Sequence, residues 1–238
     1  EVATKFYKNK PKNLVAVTGT NGKSSISDFY FQILKLNKKK VASIGTLGVK
    51  TYFNNIKMKN TTLDPILLNK HLQKIKKQKI ENVILEASSH GLKQHRLDGL
   101  NFKLGIFTNL SRDHLDYHKS YQDYLNSKLL LFKNLLKKNS HIITDKDIHQ
   151  YKIIKNITKR KKLTISTLGS INSSLELLKH RYKDEKQILQ IKYKNKIYLL
   201  SVNLIGKVQI KNILMAMIAA EKSGLKFEKI VKKINKIK

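Results

Sequence analysis

The apolar residues of this chain occur in short runs separated by amphipathic stretches. Residues 14–17 are consecutively apolar, whereas residues 23–36 place their apolar side chains at the spacing of one helix face. Short runs of this kind suit buried strands, and a period of 3.6 residues suits a helix. Further short apolar runs follow at residues 41–44, 83–85, 104–107 and 142–143. Strands that alternate with helices predict a parallel sheet with helices on both faces.

Local signals support one more helix in the first half of the chain. Asp64 is followed by Pro65. A carboxylate caps the free N–H groups of a first turn, and proline is tolerated at the first helical position. This pair therefore predicts a helix that begins at Pro65 and runs to about residue 78.

The C-terminal third follows a different pattern. Residues 188–193 and 196–202 alternate apolar and polar side chains around a turn at Lys194, which predicts two antiparallel strands. Helical spacing then covers about residues 207–223 and 227–237. The predicted fold is a single α/β domain, with a mostly parallel sheet, helices on both faces and a small antiparallel β segment.

The composition limits the classes of function. The formal net charge is +33, but every basic residue is lysine except Arg96, Arg112, Arg160 and Arg181. Base-reading surfaces favour the bidentate arginine fork. We therefore expect a solvated, lysine-rich surface that attracts polyanionic substrates and does not bind nucleic acid.

The chain carries no membrane or export signal in its sequence. No apolar run is long enough to cross a bilayer, and residues 1–12 lack the apolar core of a secretory signal. The chain also has no cysteine, which fits a reducing compartment. These features predict a cytoplasmic protein without a membrane partner, and they predict no particular oligomeric state.

A glycine-containing segment, Thr-Gly-Thr-Asn-Gly-Lys-Ser at residues 18–24, lies between the first predicted strand and the first predicted helix. Backbone N–H groups converge on an anion at such a junction. Lys23 can reach the outer phosphates of a nucleotide, and the Ser24 hydroxyl can bind Mg²⁺. Val17 stands where the strict phosphate-loop pattern has glycine, and the alternative is an ordinary strand-to-helix turn. The position between strand and helix favours a phosphate site.

Two further residues each have a chemical and a structural interpretation. Glu86 follows a buried run, so it lies at the carboxyl end of a strand as either a magnesium ligand or a surface glutamate. Lys128 lies on the apolar stripe of an amphipathic helix at residues 121–132. Spacing alone favours an ammonium group that reaches water at the helix edge over a buried one. Residues 109–118, just upstream, are either metal ligands or a solvated loop.

Several segments of the chain match one family in register. They are residues 17–24, the pair Thr61-Thr62, residues 86–92 with Gln94 and Arg96, and, most distinctively, residues 107–118. Together they resemble the central ATP-binding domain of the Mur ligases, from about residue 3 to about residue 234. Ser-Ser-His at residues 88–90, followed by the glutamine and the arginine, is similar to the UDP-N-acetylmuramoyl-tripeptide synthetases of that family. Val208 and Gln209 stand where the family usually has phenylalanine and asparagine.

The resemblance implies a role for each matching residue. Gly19, Thr20, Asn21, Gly22, Lys23, Ser24 and Asn212 would bind ATP; Thr61, Thr62, Ser88, Gln94 and Arg96 would bind the muramoyl dipeptide; Ser24, Glu86, His114 and Lys128 would form the Mg²⁺ site; and Lys23, His114 and Lys128 would be catalytic. Lys128 would carry a carbamate derived from CO₂, which replaces a cation with anionic oxygens suited to Mg²⁺.

The implied reaction is an ATP-dependent amide ligation. Phosphoryl transfer to the γ-carboxylate of UDP-N-acetylmuramoyl-L-alanyl-D-glutamate gives an acyl phosphate, which the amine of diaminopimelate or lysine attacks. The resemblance assigns residues 1–12 to a linker remnant from an N-terminal uridine-binding domain and residues 13–238 to the central domain. Because the family's C-terminal domain has no counterpart in this sequence, we expect little or no turnover from these residues alone.

Two other functions fit part of the pattern. A folylpolyglutamate-type ligase, or another Mur-type ligase, would share the nucleotide loop and the modified lysine but lack Ser88, Gln94 and Arg96 in this arrangement. A nucleotide-binding module without turnover would need neither Lys128 nor His114. Measured affinities for substrates and for nucleotide distinguish these possibilities.

Overall fold

The computed structural model describes residues 2–114, 116–183 and 185–238. The strands are β1 (Asn13–Thr18), β2 (Val41–Gly45), β3 (Gly48–Thr51), β4 (Asn55–Ile56), β5 (Asn82–Glu86), β6 (Phe102–Phe107), β7 (Leu136–Asp145), β8 (Thr164–Gly169), β9 (Leu175–Lys183), β10 (Lys186–Tyr193) and β11 (Lys196–Val202). The helices are α1 (Val2–Phe6), α2 (Lys23–Leu36), α3 (Pro65–Lys77), α4 (Ser89–Lys93), α5 (Tyr121–Leu130), α6 (Tyr151–Arg160), α7 (Lys207–Lys222) and α8 (Phe227–Val231). A π-helical turn at Leu131–Leu135 extends α5, and a 3₁₀ turn follows α8 at Ile234–Lys236.

These strands form one sheet, in the order β11-β10-β9-β8-β7-β6-β1-β5-β2-β3-β4. Neighbours from β9 to β2 are parallel, and the strands at both ends of the sheet are antiparallel. The predicted α/β class is confirmed. The antiparallel segment continues the main sheet, and it contains a third strand, β9, which the alternation did not predict. A register shift against β10 interrupts the period of two in β9, at Leu178.

Both faces of the sheet are covered. Leu14 and Ala16 of β1 pack into an apolar cluster with α3, α5 and α6, whereas Val15 and Val17 pack into a second cluster with α2, α7 and α8. A central strand buried on both faces needs apolar residues at every position, which explains its continuous apolar run. No helix in the described ranges is long and apolar enough to span a bilayer.

The extents of some elements differ from those predicted. The helix expected at residues 227–237 is α8 followed by the 3₁₀ turn, and the short run at residues 142–143 is the middle of the longer strand β7. The pattern did not predict α6 or β8. The first of these is rich in lysine and buries only Ile154, Ile157 and Thr158, so its apolar stripe is short. The predicted start of α3 is confirmed, since Asp64 Oδ1 accepts the N–H groups of Ile66 and Leu67 at 3.0 Å.

The sheet topology places a binding crevice beside β1. The next strand in the chain, β2, lies beyond β5 on one side of β1, and β6 lies on the other side. Ligands of open α/β sheets bind outside the carboxyl ends of the strands at such a reversal. The carboxyl ends of β1, β5 and β6 carry the loop at residues 18–24, Glu86 and the segment after Phe107, so three predicted site segments meet there.

Candidate active site

The loop between β1 and α2 depends on two glycines with positive φ. Gly19 has a φ of 148°, and a Cβ there would lie 1.8 Å from Thr108 Oγ1. Gly22 has a φ of 88° and precedes α2, where a Cβ would lie 2.5 Å from Asn212 Oδ1. No side chain caps the first turn of α2. Its N–H groups are therefore available to an anion, as the phosphate-site prediction requires.

Lys23 is folded back onto this loop. Its Nζ donates hydrogen bonds to the carbonyl oxygens of Gly19 at 2.9 Å and Thr20 at 2.7 Å. Burial lowers the pKa of Lys23, and the nearby carboxylates of Glu86 and Asp113 oppose that shift. An incoming anion would attract a partly desolvated ammonium group of this kind strongly.

Glu86 is buried at the carboxyl end of β5, and its carboxylate is held by three donors. Ser24 Oγ donates to Oε2 at 2.8 Å, Thr46 Oγ1 donates to Oε2 at 3.1 Å, and the Thr46 N–H donates to Oε1 at 3.0 Å. Gly45 makes room for this side chain, because a Cβ there would lie 2.1 Å from Oε1. Glu86 is therefore not a surface glutamate. Sequence reasoning missed Thr46, which has no motif and reaches the site through the β2–β3 turn.

The oxygen atoms of Ser24 and Glu86 fit a magnesium ion, which prefers oxygen ligands and keeps much of its coordination for water and phosphate. Among the described residues, no three His, Asp, Glu or Cys side chains are grouped as a metal site. The described residues therefore do not form a metal site made of protein ligands alone. A nucleotide-bound Mg²⁺ takes only a few of its ligands from the protein, because water and phosphate oxygens supply the others.

Lys128 is buried, with 1% of its surface exposed. Its Nζ donates to the Gly19 carbonyl oxygen at 2.8 Å and lies 4.3 Å from the centre of the Tyr124 ring. Burial, together with repulsion from Lys23, lowers the pKa of Lys128 to about 7. The interpretation favoured by spacing alone, a lysine that reaches water at the helix edge, is wrong. The side chain points from α5 towards the nucleotide loop. Its aliphatic part is buried there, and its amine bonds the Gly19 carbonyl oxygen.

The segment at residues 109–118 supports the nucleotide loop from the side of β6. Asn109 Oδ1 accepts the Asn21 N–H at 3.0 Å, and the Ser111 N–H donates to Thr20 Oγ1 at 3.0 Å. Leu115 lies outside the described residues. The first part of this segment is therefore an ordered support for the phosphate site.

Three histidine rings lie together beside the site. His114 has a φ of 54°, and its ring centre lies 5.2 Å from that of His90. His118 is buried, and its Nε2 lies 3.0 Å from Ser89 Oγ. His114 and His90 line the cleft, whereas His118 packs behind them between α4 and α5. Sequence reasoning did not assign a role to His90, although the Ser-Ser-His motif contains it.

The predicted substrate residues form a second wall of the site, linked to one another by hydrogen bonds. Thr62 Oγ1 donates to the Glu86 carbonyl oxygen at 2.9 Å and accepts the Ser88 N–H at 3.0 Å. Arg96 Nη1 donates to the Thr62 carbonyl oxygen at 2.8 Å, and Gln94 Nε2 donates to the Tyr117 hydroxyl at 3.2 Å. The Thr62 hydroxyl thus holds the backbone of Glu86 and Ser88 in place.

One cleft of about 500 Å³ joins the two walls. Its lining includes the predicted residues Thr20, Asn21, Gly22, Lys23, Ser24, Thr61, Thr62, Ser88, Gln94, Arg96, His114 and Lys128. Gly19 and Glu86 contact members of this lining through the hydrogen bonds described above. Asn212 does not line the cleft. It borders a second cavity of about 300 Å³ together with Asp145, Lys211 and Met215, and its Nδ2 donates to Gln209 Oε1 at 3.0 Å.

Comparisons with known proteins agree with this arrangement. The family model described as Mur ligase middle domain matches residues 17–220. The UDP-N-acetylmuramoyl-L-alanyl-D-glutamate–2,6-diaminopimelate ligase of Rickettsia bellii (strain RML369-C) is 37% identical over 237 residues, covering 98% of this chain and 50% of that protein. The protein of the same name from Chelativorans sp. (strain BNC1) is 34% identical over 236 residues, covering 99% of this chain and 49% of that protein.

Solved structures show the same similarity. A structure of a UDP-N-acetylmuramoyl-L-alanyl-D-glutamate–2,6-diaminopimelate ligase matches with a TM-score of 0.89 and 28% identity over 99% of this chain and 48% of that one. An FPGS–AMPPCP complex matches with a TM-score of 0.79 over 100% of this chain and 66% of that one, but at 12% identity it shows the fold alone. The chain spans about half the length of the curated relatives it matches. Since the family model covers most of the sequence, this chain belongs to the Mur ligase middle domain family.

Proposed function

We propose that this chain is the nucleotide-binding middle domain of a ligase that joins 2,6-diaminopimelate to UDP-N-acetylmuramoyl-L-alanyl-D-glutamate at the expense of ATP. The observation that carries the proposal is the shared cleft, whose lining includes Lys23 of the loop together with Gln94 and Arg96. A phosphate donor and a carboxylate acceptor bound there would lie side by side, as acyl phosphate formation requires. The names of the relatives at 34–37% identity state the same reaction for those proteins.

ATP would bind with its phosphates at residues 18–24 and its base at the cavity beside Asn212. The uncapped N–H groups at the start of α2 would hold phosphate oxygens. Lys23 would leave the carbonyl oxygens of Gly19 and Thr20 and turn towards the outer phosphates, where its charge has a stronger partner. Asn212 packs against Gly22, so the base and phosphate regions are adjacent.

Ser24 and Glu86 would hold Mg²⁺, with His114 as a further residue of the metal site. The ion would neutralise part of the negative charge of the phosphates. Thr46 donates to both carboxylate oxygens of Glu86, so that turning the Ser24 hydroxyl towards an ion leaves two of the three donors in place. These residues thereby provide a prearranged anionic group at the loop.

Lys128 would carry a carbamate in the active ligase. A pKa of about 7 leaves much of the amine neutral near neutral pH, and only the neutral amine attacks CO₂. A nitrogen–carbon bond forms, one proton leaves the nitrogen, and the product is a carbamate anion. We expect ¹³C-labelled bicarbonate to give a carbamate resonance that is absent in Lys128→Ala and present in Lys39→Ala, which alters an exposed lysine. A spectrum identical in all three proteins would contradict this assignment.

The muramoyl dipeptide would bind against the wall that contains Gln94 and Arg96. Arg96 and Gln94 are the polar side chains of that wall with unused donors, because each makes only one of its possible hydrogen bonds in the described ranges. Thr61, Thr62 and Ser88 complete it, with Thr61 Oγ1 lying 3.0 Å from Thr46 Oγ1. A cationic guanidinium group suits the carboxylates of a glutamyl peptide. We place the reaction in the cytoplasm, in agreement with a chain that has no cysteine.

The test is calorimetric titration of MgATP into the 238-residue chain and two variants. We expect saturable binding to the wild type, at least about tenfold weaker binding to Lys23→Ala because a charged phosphate contact is lost, and unchanged binding to Lys39→Ala. Binding that is unchanged in Lys23→Ala, or absent from the folded wild type, would contradict the nucleotide assignment.

The substrate assignment has its own titrations. UDP-N-acetylmuramoyl-L-alanyl-D-glutamate should bind in the presence of MgATP and weaken in Arg96→Ala, whereas a reduced folate should not bind. Folate binding would favour a folylpolyglutamate-type ligase, which shares this fold. MgATP binding with no affinity for either acceptor would favour a nucleotide-binding module without turnover.

A further inference from the structure

The last strand of the sheet, β11, has an open edge. It pairs with β10 over its whole length, and no strand in the described ranges pairs with its other side. An edge of this length presents unpaired N–H and C=O groups that readily accept another strand. Proteins usually protect such edges with proline, bulges or several charges. β11 has a single charged residue, Lys196, and a regular register with β10.

The hairpin turn fixes which backbone groups point outwards. Lys194 and Asn195 have φ values of 47° and 61°, and two positive values define the two-residue type I′ turn. The flanking pair Tyr193–Lys196 is then a hydrogen-bonded pair, and such pairs alternate along the ladder. Ile197, Leu199 and Ser201 therefore direct their N–H and C=O groups away from β10.

Two of these three residues, Ile197 and Leu199, carry exposed side chains on the outer face of the sheet, and Ser201 is half-buried on the same face. Ile197 is 61% exposed and Leu199 is 70% exposed, whereas Leu200 and Val202 of the same strand are buried in the core. Two large aliphatic groups thus lie in water beside unpaired backbone groups. Covering them would contribute favourable free energy in addition to the new hydrogen bonds.

Two lysines beside the edge have carboxylate partners, although the chain carries a net charge of +33. Lys194 Nζ lies 2.5 Å from Glu221 Oε1, and Lys196 Nζ lies 3.5 Å from Glu228 Oε1. Both lysines near the hairpin turn therefore have a carboxylate partner. A second copy would therefore meet a paired lysine on β11 itself, and Lys192, across from Ile197 on β10, is the nearest cation without a carboxylate partner among the described residues.

We propose that β11 pairs with β11 of a second copy of this chain, antiparallel and centred on Leu199. In this register Leu199 lies opposite Leu199 of the second copy, and Ile197 lies opposite Ser201. Each of these positions has outward-pointing backbone groups, so the three pairs exchange about six hydrogen bonds. Lys196 falls opposite Val202, which keeps the two lysines apart. The contact is isologous and closes on itself, so it yields a dimer with a continuous sheet.

The strength of this contact follows from its size and charge. Pairing of two short strands buries less area than a standard interface of roughly 1,600 Å², so we expect a weak dimer, with a dissociation constant of about 10 µM or higher. The remaining charges of two copies repel each other over a distance that salt shortens. Dimerisation should therefore strengthen as salt rises, the reverse of binding to a polyanion.

Sedimentation equilibrium of the 238-residue chain at several concentrations and two salt concentrations tests the proposal. We expect the dimer fraction to grow with protein concentration and with salt concentration. Leu199→Lys should associate at least about tenfold more weakly, because it places two cations at the two-fold axis. Ile171→Lys should associate like the wild type. Ile171 is 73% exposed and lies in the loop between β8 and β9, so it is a matched control for loss of an exposed aliphatic group. A monomer throughout, or a dimer insensitive to Leu199→Lys, overturns the proposal.

A crosslink tests the register independently of stability. Residues in a hydrogen-bonded antiparallel pair have Cα atoms about 5.5 Å apart, within the range of a disulfide. The chain has no cysteine, so Leu199→Cys provides one thiol per copy. We expect oxidation to crosslink Leu199→Cys at least about tenfold faster than Ile171→Cys, with circular dichroism showing both to be folded. Equal rates would rule out the proposed register.

Discussion

The backbone of Gly22 combines a φ of 88° with close contact to Asn212, whose Oδ1 would lie 2.5 Å from a Cβ at this position. We expect Gly22→Ala to cost about 1–3 kcal/mol of stability and to weaken MgATP binding at least about tenfold, because the loop must move away from α7. Gly224→Ala is the control, since Gly224 has a φ of 95° but no atom within 4 Å. Thermal unfolding and calorimetry of both variants measure the effect. Equal losses in both would mean that conformational strain, not contact with Asn212, sets the requirement for glycine.

At His141, a single residue makes the stability of the protein depend on pH. Its Nδ1 lies 2.6 Å from Thr164 Oγ1 and its Nε2 lies 2.9 Å from Ser166 Oγ. Burial, with a smaller effect of Lys222, lowers the pKa of His141 from 6.5 to about 4. Between these pH values the unfolded chain binds the proton and the folded chain does not. Acidification through this window therefore lowers the free energy of unfolding.

The variant His141→Gln removes this proton. We expect urea unfolding of the wild type to lose stability relative to the variant as pH falls from 6.5 to 4, by less than about 1.4 kcal/mol per pH unit because the imidazole is partly reached by water. Above pH 6.5 the difference between the two proteins should be constant. A difference that stays constant down to pH 4 would falsify the assignment of a lowered pKa.

At the scale of elements, α5 is joined to the nucleotide loop by the hydrogen bond from Lys128 to Gly19 and by a hydrogen bond between the hydroxyls of Tyr124 and Thr20. Tyr124 is buried, and its hydroxyl lies 3.2 Å from Thr20 Oγ1. We expect Tyr124→Phe to cost about 1 kcal/mol of stability and to weaken MgATP binding several-fold, because Thr20 then loses one of the contacts that fix the loop. Tyr121→Phe is the control, since Tyr121 lies on the same helix and bonds Gln150 instead. Chemical denaturation and calorimetry provide the two measurements, and equal effects on nucleotide affinity would contradict the proposed connection.

Across the whole molecule, the net charge of +33 opposes the compact state. Salt shortens the range of this repulsion, with a screening length of about 30 Å at 0.01 M and about 8 Å at 0.15 M. We therefore expect the free energy of unfolding to rise by about 1 kcal/mol or more over this range of sodium chloride. Urea unfolding at micromolar protein concentration measures the change while dimer formation stays minor. Sucrose at matched osmolarity is the control, and stability that does not change with salt would show that the lysines are too dispersed to matter.

The sequence by itself determined the fold class and most of the residues that line the main cleft. Residues 14–17 have to be apolar at every position to lie inside a sheet covered on both faces, and the segment at residues 18–24 has to combine two glycines with positive φ and a lysine at the start of a helix. Requirements of this kind act on neighbouring residues, so they leave a pattern along the chain. Asp64, Pro65 and the type I′ turn at Lys194 are local in the same sense.

Only the tertiary structure decided the burial and the contacts of side chains whose neighbours are distant in the chain. Spacing could not tell whether Lys128 reaches water, because its amine bonds the carbonyl oxygen of Gly19, which lies 109 positions away. Thr46 carries no motif, and it reaches Glu86 through a turn between strands. The continuity of the antiparallel strands with the main sheet, and the separation of Asn212 from the main cleft, depend in the same way on packing between elements. Burial and contact are properties of the assembled sheet, and for that reason no stretch of sequence contains them.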